Sequence, residues 1–133
     1  METPISGHSS LMQCAVLWHG GIEEPHFDFL VETAPGSDLA TWRLPRWPVV
    51  EPVRVTRLKD HRRIYLNYQG ELTGDRGRVE RIDGGVCTLK IGQDSALQIA
   101  AEGGAWTITL RQLAGDQWIA QGGNTVSPGR AML

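Results

Sequence analysis

Two histidines and an aspartate in the first third of the chain are candidate metal ligands. The segment HFDFLVE at 26–32 alternates strictly between two sets of side chains. An extended strand places alternate side chains on opposite faces, so His26 and Asp28 should lie side by side, with the phenylalanines on the other face. His19 lies seven residues before His26. Two imidazoles and a carboxylate suit Mn, Zn or Fe with open positions, although a His-x-Asp pair also occurs by chance.

A second histidine-bearing segment, DHRRIY at Asp60–Tyr65, lies in the basic part of the chain. Residues 1–42 hold six acidic residues and no Lys or Arg, whereas residues 43–63 hold seven basic and two acidic residues. This uneven distribution favours a metal site beside a phosphate pocket. The alternative, that the cations only form a solvated face, stays open at this point.

The elements that must position these side chains are short strands separated by turns. The 133 residues include 16 Gly and 7 Pro, which favours turn-rich β structure over a helical bundle. About eight to ten short runs follow one another at intervals of roughly 8–12 residues, the pattern of a sandwich or a barrel. Three Gly-containing turns, at 83–85, 102–104 and 114–116, predict hairpins. Residues 60–68 alternate as an extended segment would, and we expect little helix.

The bulk properties indicate one globular domain. We predict a folded domain at 13–121, between a disordered tail at 1–12 and a flexible tail at 122–133. No apolar run reaches the roughly 18 residues of a membrane span, and the N-terminal run lacks the basic residues of a signal peptide. Cys14 and Cys87 have no metal-ligand spacing and are expected to be free thiols, which is typical of the cytoplasm.

Four segments in order resemble the 3′-phosphoesterase domain of bacterial DNA ligase D, also called the DNA polymerase–ligase N-terminal domain. They are HFDFLVE, LATWRLPRWP, RLKDHRRIYLNYQGEL and RGRVERIDGG, and the resemblance covers roughly residues 13–121. The family pattern runs H-x5-H-Y-D-F-R-L-E, S-W-A-V-P-K-G-P, E-D-H-P-x-x-Y-x-x-F-E-G and W-D-x-G. The resemblance implies a single compact all-β barrel of about eight strands. It also implies metal-dependent removal of a 3′-phosphate or 3′-terminal ribonucleotide from DNA.

The same resemblance implies a metal cofactor and partners. His19, His26 and Asp28 match the family's metal ligands, for which manganese is the usual ion, with zinc or cobalt as alternatives. The expected partners are DNA or RNA/DNA 3′ ends and possible repair proteins. We expect a monomer that acts in the cytoplasm and does not bind a membrane.

The residues for catalysis and phosphate binding are also carried over from the family. His61 and Tyr65 match a His-x3-Tyr pair that contacts the phosphate, with His61 as the expected acid/base or phosphate-binding group. Arg46 falls at the basic residue of the V-P-K-G-P segment and is a candidate phosphate contact. Arg62, directly after His61, stands where the family has a proline and is not carried over; it is a candidate, as are Arg43 and Arg57, to supply phosphate-binding charge from another strand.

The chain departs from the family at one position that matters for phosphate binding. Leu30 stands where the family has an arginine, on the face of the strand that carries His26 and Asp28. Two functions are therefore open. The first is a phosphoesterase acting on DNA ends, and the second is a catalytically weak or inactive barrel. This second form would bind a metal, an anion or a nucleic-acid end as a module of a repair assembly.

Overall fold

The computed structural model describes residues 9–123. Its elements are β1 (Ser10–Gly20), β2 (His26–Glu32), β3 (Leu39–Leu44), β4 (Val53–His61), a 3₁₀ helix (Arg63–Leu66), β5 (Gly70–Glu71), β6 (Arg78–Ile91), β7 (Leu97–Ala101), β8 (Thr107–Ala114) and β9 (Gln117–Gly122). β1 begins inside the segment predicted as a tail, and Met12 on it is buried. Gly122, predicted as the start of the C-terminal tail, is the last residue of β9. Residues 1–8 and 124–133 of the predicted tails lie outside the described residues.

Eight of the nine strands form a closed antiparallel barrel. Their order is β1-β2-β3-β4-β9-β8-β7-β6, and β6 pairs with β1 to close the ring. The two-residue strand β5 pairs only with the beginning of β6 and stands outside the ring. The prediction of an all-β barrel of about eight strands is therefore confirmed.

The interior of the barrel is a dense apolar core. It is built from alternate residues of every barrel strand, and its largest members are aromatic: Phe29, Trp42 and Trp106. Cys14 and Cys87 belong to this core as buried free thiols. Their mutual hydrogen bond, together with burial, raises the pKa of Cys14, so this thiol stays protonated.

A second, smaller apolar cluster lies on the outer face of β1 and β2. It consists of Ala15, Leu17, Leu30, Leu39, Leu66 and Val79. Leu66 belongs to the 3₁₀ helix, so the segment that follows β4 folds back over this outer face and covers it. β2 and β3 are consequently buried on both faces, apart from Phe27 and Arg43. Both sets of alternating side chains in HFDFLVE are therefore buried, one in the barrel interior and the other beneath the segment that covers the outer face.

One hairpin prediction is wrong, because residues 83–85 lie within a continuous strand. β6 runs through them and pairs with all of β1, with a bulge between Val16 and Leu17. Gly84 has φ +143°, and a Cβ there would lie 2.7 Å from the carbonyl oxygen of Cys14. The glycine thus serves a close approach between two strands rather than a turn. The hairpins at 102–104 and 114–116 are confirmed.

The segment after β4 also differs from its predicted extended form. The alternation of residues 64, 66 and 68 does not continue the strand, because the chain turns into a 3₁₀ helix at Arg63. Leu66 enters the outer cluster while Ile64 stays exposed. Among residues 9–123, no helix has both the length and the apolar character needed to cross a membrane.

Candidate metal centre

Strand register brings the three predicted ligands together on the outer face of the barrel. In the β1–β2 pair, His19 lies opposite His26, and Leu17 lies opposite Asp28. Residues directly opposite one another share a face, so both imidazoles and the carboxylate converge there. One ligand atom from each of the three residues lies within 4.8 Å of the others.

The distances within this group suit a single divalent ion. His26 Nε2 is 3.3 Å from Asp28 Oδ1, and His19 Nδ1 is 3.9 Å from Asp28 Oδ2. Bonds of about 2.0–2.2 Å to one ion would place neighbouring ligand atoms about 3.0–3.5 Å apart. The two contacts to Asp28 are close to that spacing, and the widest pair of ligand atoms, up to 4.8 Å apart, needs to close by about 1 Å.

Backbone carbonyls fix the orientation of both imidazoles. His19 Nε2 donates a hydrogen bond to the carbonyl oxygen of Arg76 at 2.6 Å, and His26 Nδ1 donates to that of Glu24 at 2.9 Å. A carbonyl oxygen can only accept, so the proton of each neutral ring lies on the bonded nitrogen. The other nitrogens, beside Asp28, keep their lone pairs. Such a carbonyl partner is the usual outer support of a metal-bound histidine.

The carbonyl that supports His19 comes from a short turn. Leu72 N–H donates to the Gly77 carbonyl oxygen at 2.8 Å, which closes a loop against the end of β1. Gly77 has φ +80°, and a Cβ there would lie 2.2 Å from the carbonyl oxygen of Gly20. Only glycine permits this approach, and it brings the neighbouring Arg76 carbonyl to the His19 ring.

Asp28 is the member of the group that most needs a cation. Its residue is 4% exposed, and Oδ1 accepts no hydrogen bond from residues 9–123. Burial would lower the pKa of His26, but the Asp28 carboxylate beside it and the hydrogen bond to the Glu24 carbonyl outweigh burial and raise that pKa above its usual value. A protonated His26 or a metal ion can therefore neutralise the carboxylate. Since a carboxylate with an unpartnered buried oxygen is costly, the residues fit a divalent ion.

A cleft of about 440 Å³ opens beside the metal group, between the outer face of the barrel and the covering segment. His19 and Asp28 line one part of it. His61, Arg62 and Tyr65, about 40 residues later in the chain, line another. The structure thus brings five of the seven predicted site residues to this cleft, and His26 contacts one of them, Asp28.

A β-bulge places His61 on the face that carries the metal group. Thr41 pairs with Leu58, but Leu39, two residues earlier, pairs with His61, three residues later. A regular strand would pair Leu39 with Asp60. The extra residue in β4 shifts the alternation, so His61 takes that position instead. His61 Nδ1 donates to the Lys59 carbonyl oxygen at 3.1 Å, which leaves Nε2 available for proton transfer.

Arg57 holds this bulge in place. Its guanidinium bonds the carboxylate of Asp60 at 2.9 Å and the carbonyl oxygen of Leu58, and it lies 4.9 Å from the ring centre of Trp42. These contacts bridge the extra residue directly before His61. Arg57 is therefore a positioning residue and not a member of the cleft.

The 3₁₀ helix positions Tyr65 and Arg62 beside His61. The rings of Tyr65 and His61 are 5.8 Å apart, and the Arg62 guanidinium carbon lies 6.0 Å from the Tyr65 ring centre. Arg63, at the start of the helix, bonds the buried carboxylate of Glu32 on β2. This ion pair fastens the covering segment to the barrel.

Two features of the predicted phosphate site do not enter the cleft. Arg46 is exposed in the loop after β3 and is not among the residues that line the cleft. Leu30 is fully buried in the outer apolar cluster, so no cation occupies the position of the family's arginine.

Two cations of the cleft were missed in the sequence. Lys59 and Arg76 both line it, and together with Arg62 they give it three cationic side chains. The cleft's acids are Asp28 and Asp60, and the latter is paired with Arg57. Lys59 belongs to the basic block, where composition alone could have indicated it. Arg76 lies in a turn whose closeness to β1 no pattern reveals.

No model of a known protein family matches the chain, and no curated protein is significantly similar to it. These comparisons assign the chain to no family. The resemblance to the phosphoesterase domain of DNA ligase D therefore stays a prediction.

Proposed function

We propose that the protein is a metal-dependent phosphoesterase-like enzyme that acts on 3′-phosphate or 3′-ribonucleotide ends of DNA. One observation carries the proposal. A group of three metal-ligating side chains shares a cleft with an imidazole, a tyrosine and three cations that come from distant segments of the chain. This is the donor set and charge that transfer of a phosphoryl group to water requires.

The metal group has a defined place in this proposal. His19, His26 and Asp28 would hold a divalent ion, of which manganese is the expected one and zinc or cobalt the alternatives. A bound divalent ion supplies positive charge that polarises a phosphoryl oxygen. The restriction of the substrate to DNA ends comes from the resemblance in the sequence.

The remaining groups of the cleft bind and exchange protons. Arg62, Arg76 and Lys59 offer their cationic side chains to phosphate oxygens and offset the negative charge that the transition state spreads over them. His61 Nε2, free of hydrogen bonds within residues 9–123, can take a proton from water or give one to the departing oxygen. Tyr65, packed against His61, can donate a hydrogen bond to the phosphate.

The alternative function is a weakly active barrel that binds a metal or anion, or a nucleic-acid end. Leu30 favours it, because the outer cluster fills the position of the expected arginine with an apolar side chain. Lys59 and Arg76 weigh against it, since they restore cationic charge to the cleft from other elements. We therefore place the enzyme first.

Turnover on a defined DNA end tests the enzyme proposal. The full chain, loaded with manganese, is incubated with a primer–template that carries a 3′-phosphate or a 3′-terminal ribonucleotide. We expect release of phosphate or ribonucleoside, and a loss of about 10²-fold or more in His61→Ala. Gln112→Ala, an exposed change on β8 away from the cleft, is the matched control. No turnover by the wild type on either end would refute the proposal for these substrates.

Metal content tests the ligands independently of activity. We expect about one equivalent of manganese per chain in the wild type, and loss of binding in Asp28→Asn, which keeps the size of the side chain. Asp116→Asn, in the exposed turn between β8 and β9, should bind as the wild type does. Equal binding in Asp28→Asn and wild type would exclude this metal centre.

A further inference from the structure

A second pocket of about 190 Å³ adjoins the cleft, on the far side of the 3₁₀ helix and the turn at 72–77. Four residues line both cavities: Arg62, Tyr65, Leu72 and Arg76. The two cavities therefore share a wall, and a group attached to a phosphate in the cleft would lie next to this pocket. Arg62 and Arg76 belong to this shared wall, so the same two cations line both cavities.

The pocket's other lining residues are an aromatic and an apolar side chain, Tyr68 and Ile64, together with Glu71 and Thr73. Tyr65 and Tyr68 lie 5.8 Å apart at an angle of 86°, so they form a corner of one ring face and one ring edge. The hydroxyl of Tyr68 donates to the carbonyl oxygen of Glu71, which holds its ring in place. Ile64, which lines this pocket, is 59% exposed and so is accessible to a ligand.

The cations of the shared wall are held in position for a flat group. Arg76 donates to the carbonyl oxygen and the hydroxyl of Thr73 at 2.8 and 3.0 Å, which orients its guanidinium beside the pocket. Arg62 lies over the Tyr65 ring. Aromatic rings and guanidinium planes are the surfaces on which nucleobases stack, and the Glu71 carboxylate can accept hydrogen bonds from an amino group at the edge of a base.

We propose that this pocket binds the nucleoside joined to the phosphate in the cleft. The substrate would then be recognised as a terminal nucleotide, and not as an alkyl phosphate or as inorganic phosphate. The proposal rests on the proposed function in one respect, that the cleft holds the phosphate. The pocket's own charged side chain is Glu71, and its carboxylate disfavours a second phosphate there.

Binding of three probes tests this subsite without turnover. Manganese-loaded protein carrying His61→Ala is titrated with a nucleoside 3′-phosphate, the corresponding abasic deoxyribose 3′-phosphate and inorganic phosphate. Fluorescence of 2-aminopurine as the base, followed by competition, reports the affinities. A stacked base should tighten binding by at least about fivefold over the abasic probe.

Two variants and a matched control locate the base. Tyr68→Leu, which keeps apolar volume under the helix, should reduce this preference to less than about twofold. Ile64→Ser, at an exposed position that cannot unfold the chain, should reduce it in the same direction. Ile91→Ser, a change at an isoleucine that is 52% exposed at the end of β6, should leave the preference intact.

The outcomes separate this inference from the proposed function. Equal affinities for the nucleoside and abasic probes, or no binding of the nucleoside probe at millimolar concentration, would overturn the inference. A preference unchanged in both pocket variants would also overturn it, because the base would then lie elsewhere. A base-dependent preference without turnover in the wild type would support the subsite while refuting the enzyme.

Discussion

Two buried carboxylates on the same face of β2 have opposite surroundings. Glu32 and Asp28 are four residues apart, and each is 4% exposed. Glu32 accepts hydrogen bonds from the backbone N–H groups of Gln13 at 2.7 Å and Gly36 at 2.9 Å, and from Arg63. Asp28 has one oxygen that accepts none from residues 9–123, and two imidazoles beside it.

The difference separates a structural charge from a binding charge. Burying a carboxylate costs several kcal/mol unless donors replace the water that it loses. At Glu32 the donors come from the protein, and the result is a fastening between the barrel and the covering segment. At Asp28 part of that compensation is missing, so the fold retains an electrostatic cost that a bound cation relieves. Leu30 lies between the two carboxylates and keeps them apart.

The largest effect is expected from Leu30→Arg, which places a positive charge between the two carboxylates. The change restores the arginine of the resembled family, but the position is fully buried among apolar side chains. An unpaired buried charge should lower the free energy of unfolding by about 3–5 kcal/mol. Leu30→Met, which keeps the volume, should cost less than about 1.5 kcal/mol. Urea unfolding measures both, and an Arg variant as stable as the Met variant would contradict the separation.

Metal binding should stabilise the protein only while Asp28 is intact. At a manganese concentration of 100 times Kd, linkage predicts a gain of about 2.7 kcal/mol in the free energy of unfolding. Asp28→Asn should abolish this gain without lowering the stability of the metal-free protein, because it removes an incompletely compensated charge. Thermal unfolding with and without manganese measures both. A metal-free Asp28→Asn protein less stable than the wild type by 2 kcal/mol or more would make Asp28 structural, like Glu32.

Glu32 should instead determine stability at acid pH. Burial would raise the pKa of Glu32, but hydrogen bonds from Gly36, Arg63 and Gln13 outweigh it, so the pKa lies below 4.5. The ionised carboxylate therefore stabilises the folded state above pH 4.5, and this contribution is lost as pH falls through the folded-state pKa. Glu32→Gln should cost about 1.5–3 kcal/mol at neutral pH.

Unfolding measured across the acid range checks this dependence on pH. The difference in stability between Glu32→Gln and the wild type should shrink as the pH falls below the pKa of the folded protein. Exposed Asp38→Asn is the control and should stay within about 0.5 kcal/mol of the wild type throughout. A difference that does not change with pH would show that the charge is not responsible.

The smallest effect is expected from the support of His19. Gly77→Ala would displace the turn, because a Cβ there meets the Gly20 carbonyl oxygen, and it should weaken manganese binding by about 10–100-fold. Gly74→Ala is the matched control, since Gly74 also has a positive φ, +71°, but a Cβ there meets nothing within 4 Å. Calorimetric titration compares the two. Equal affinities would mean that the Arg76 carbonyl does not position His19.

The sequence pattern was enough to predict the features that depend only on residues close together in the chain. Because side chains alternate along a strand, the order of residues in HFDFLVE placed His26 beside Asp28 and the phenylalanines opposite them. Turn residues at 102–104 and 114–116 marked two hairpins for the same local reason. The glycines at 84 and 85 look the same in the sequence as those of the two hairpin turns. Their role, however, depends on how closely β1 passes β6, and the hairpin prediction there was wrong.

Tertiary structure decided everything that depends on which segments meet. The sequence showed that His19, His26 and Asp28 could ligate a metal, but strand register set their actual distances. The bulge that presents His61 exists only relative to β3. Asp28 and Glu32 have similar chemistry and equal burial, and strand alternation alone does not distinguish them. The difference comes from the hydrogen-bond donors that the fold brings to each carboxylate. Glu32 has enough of them to act as a structural ion pair, whereas Asp28 has too few and stays available to a cation.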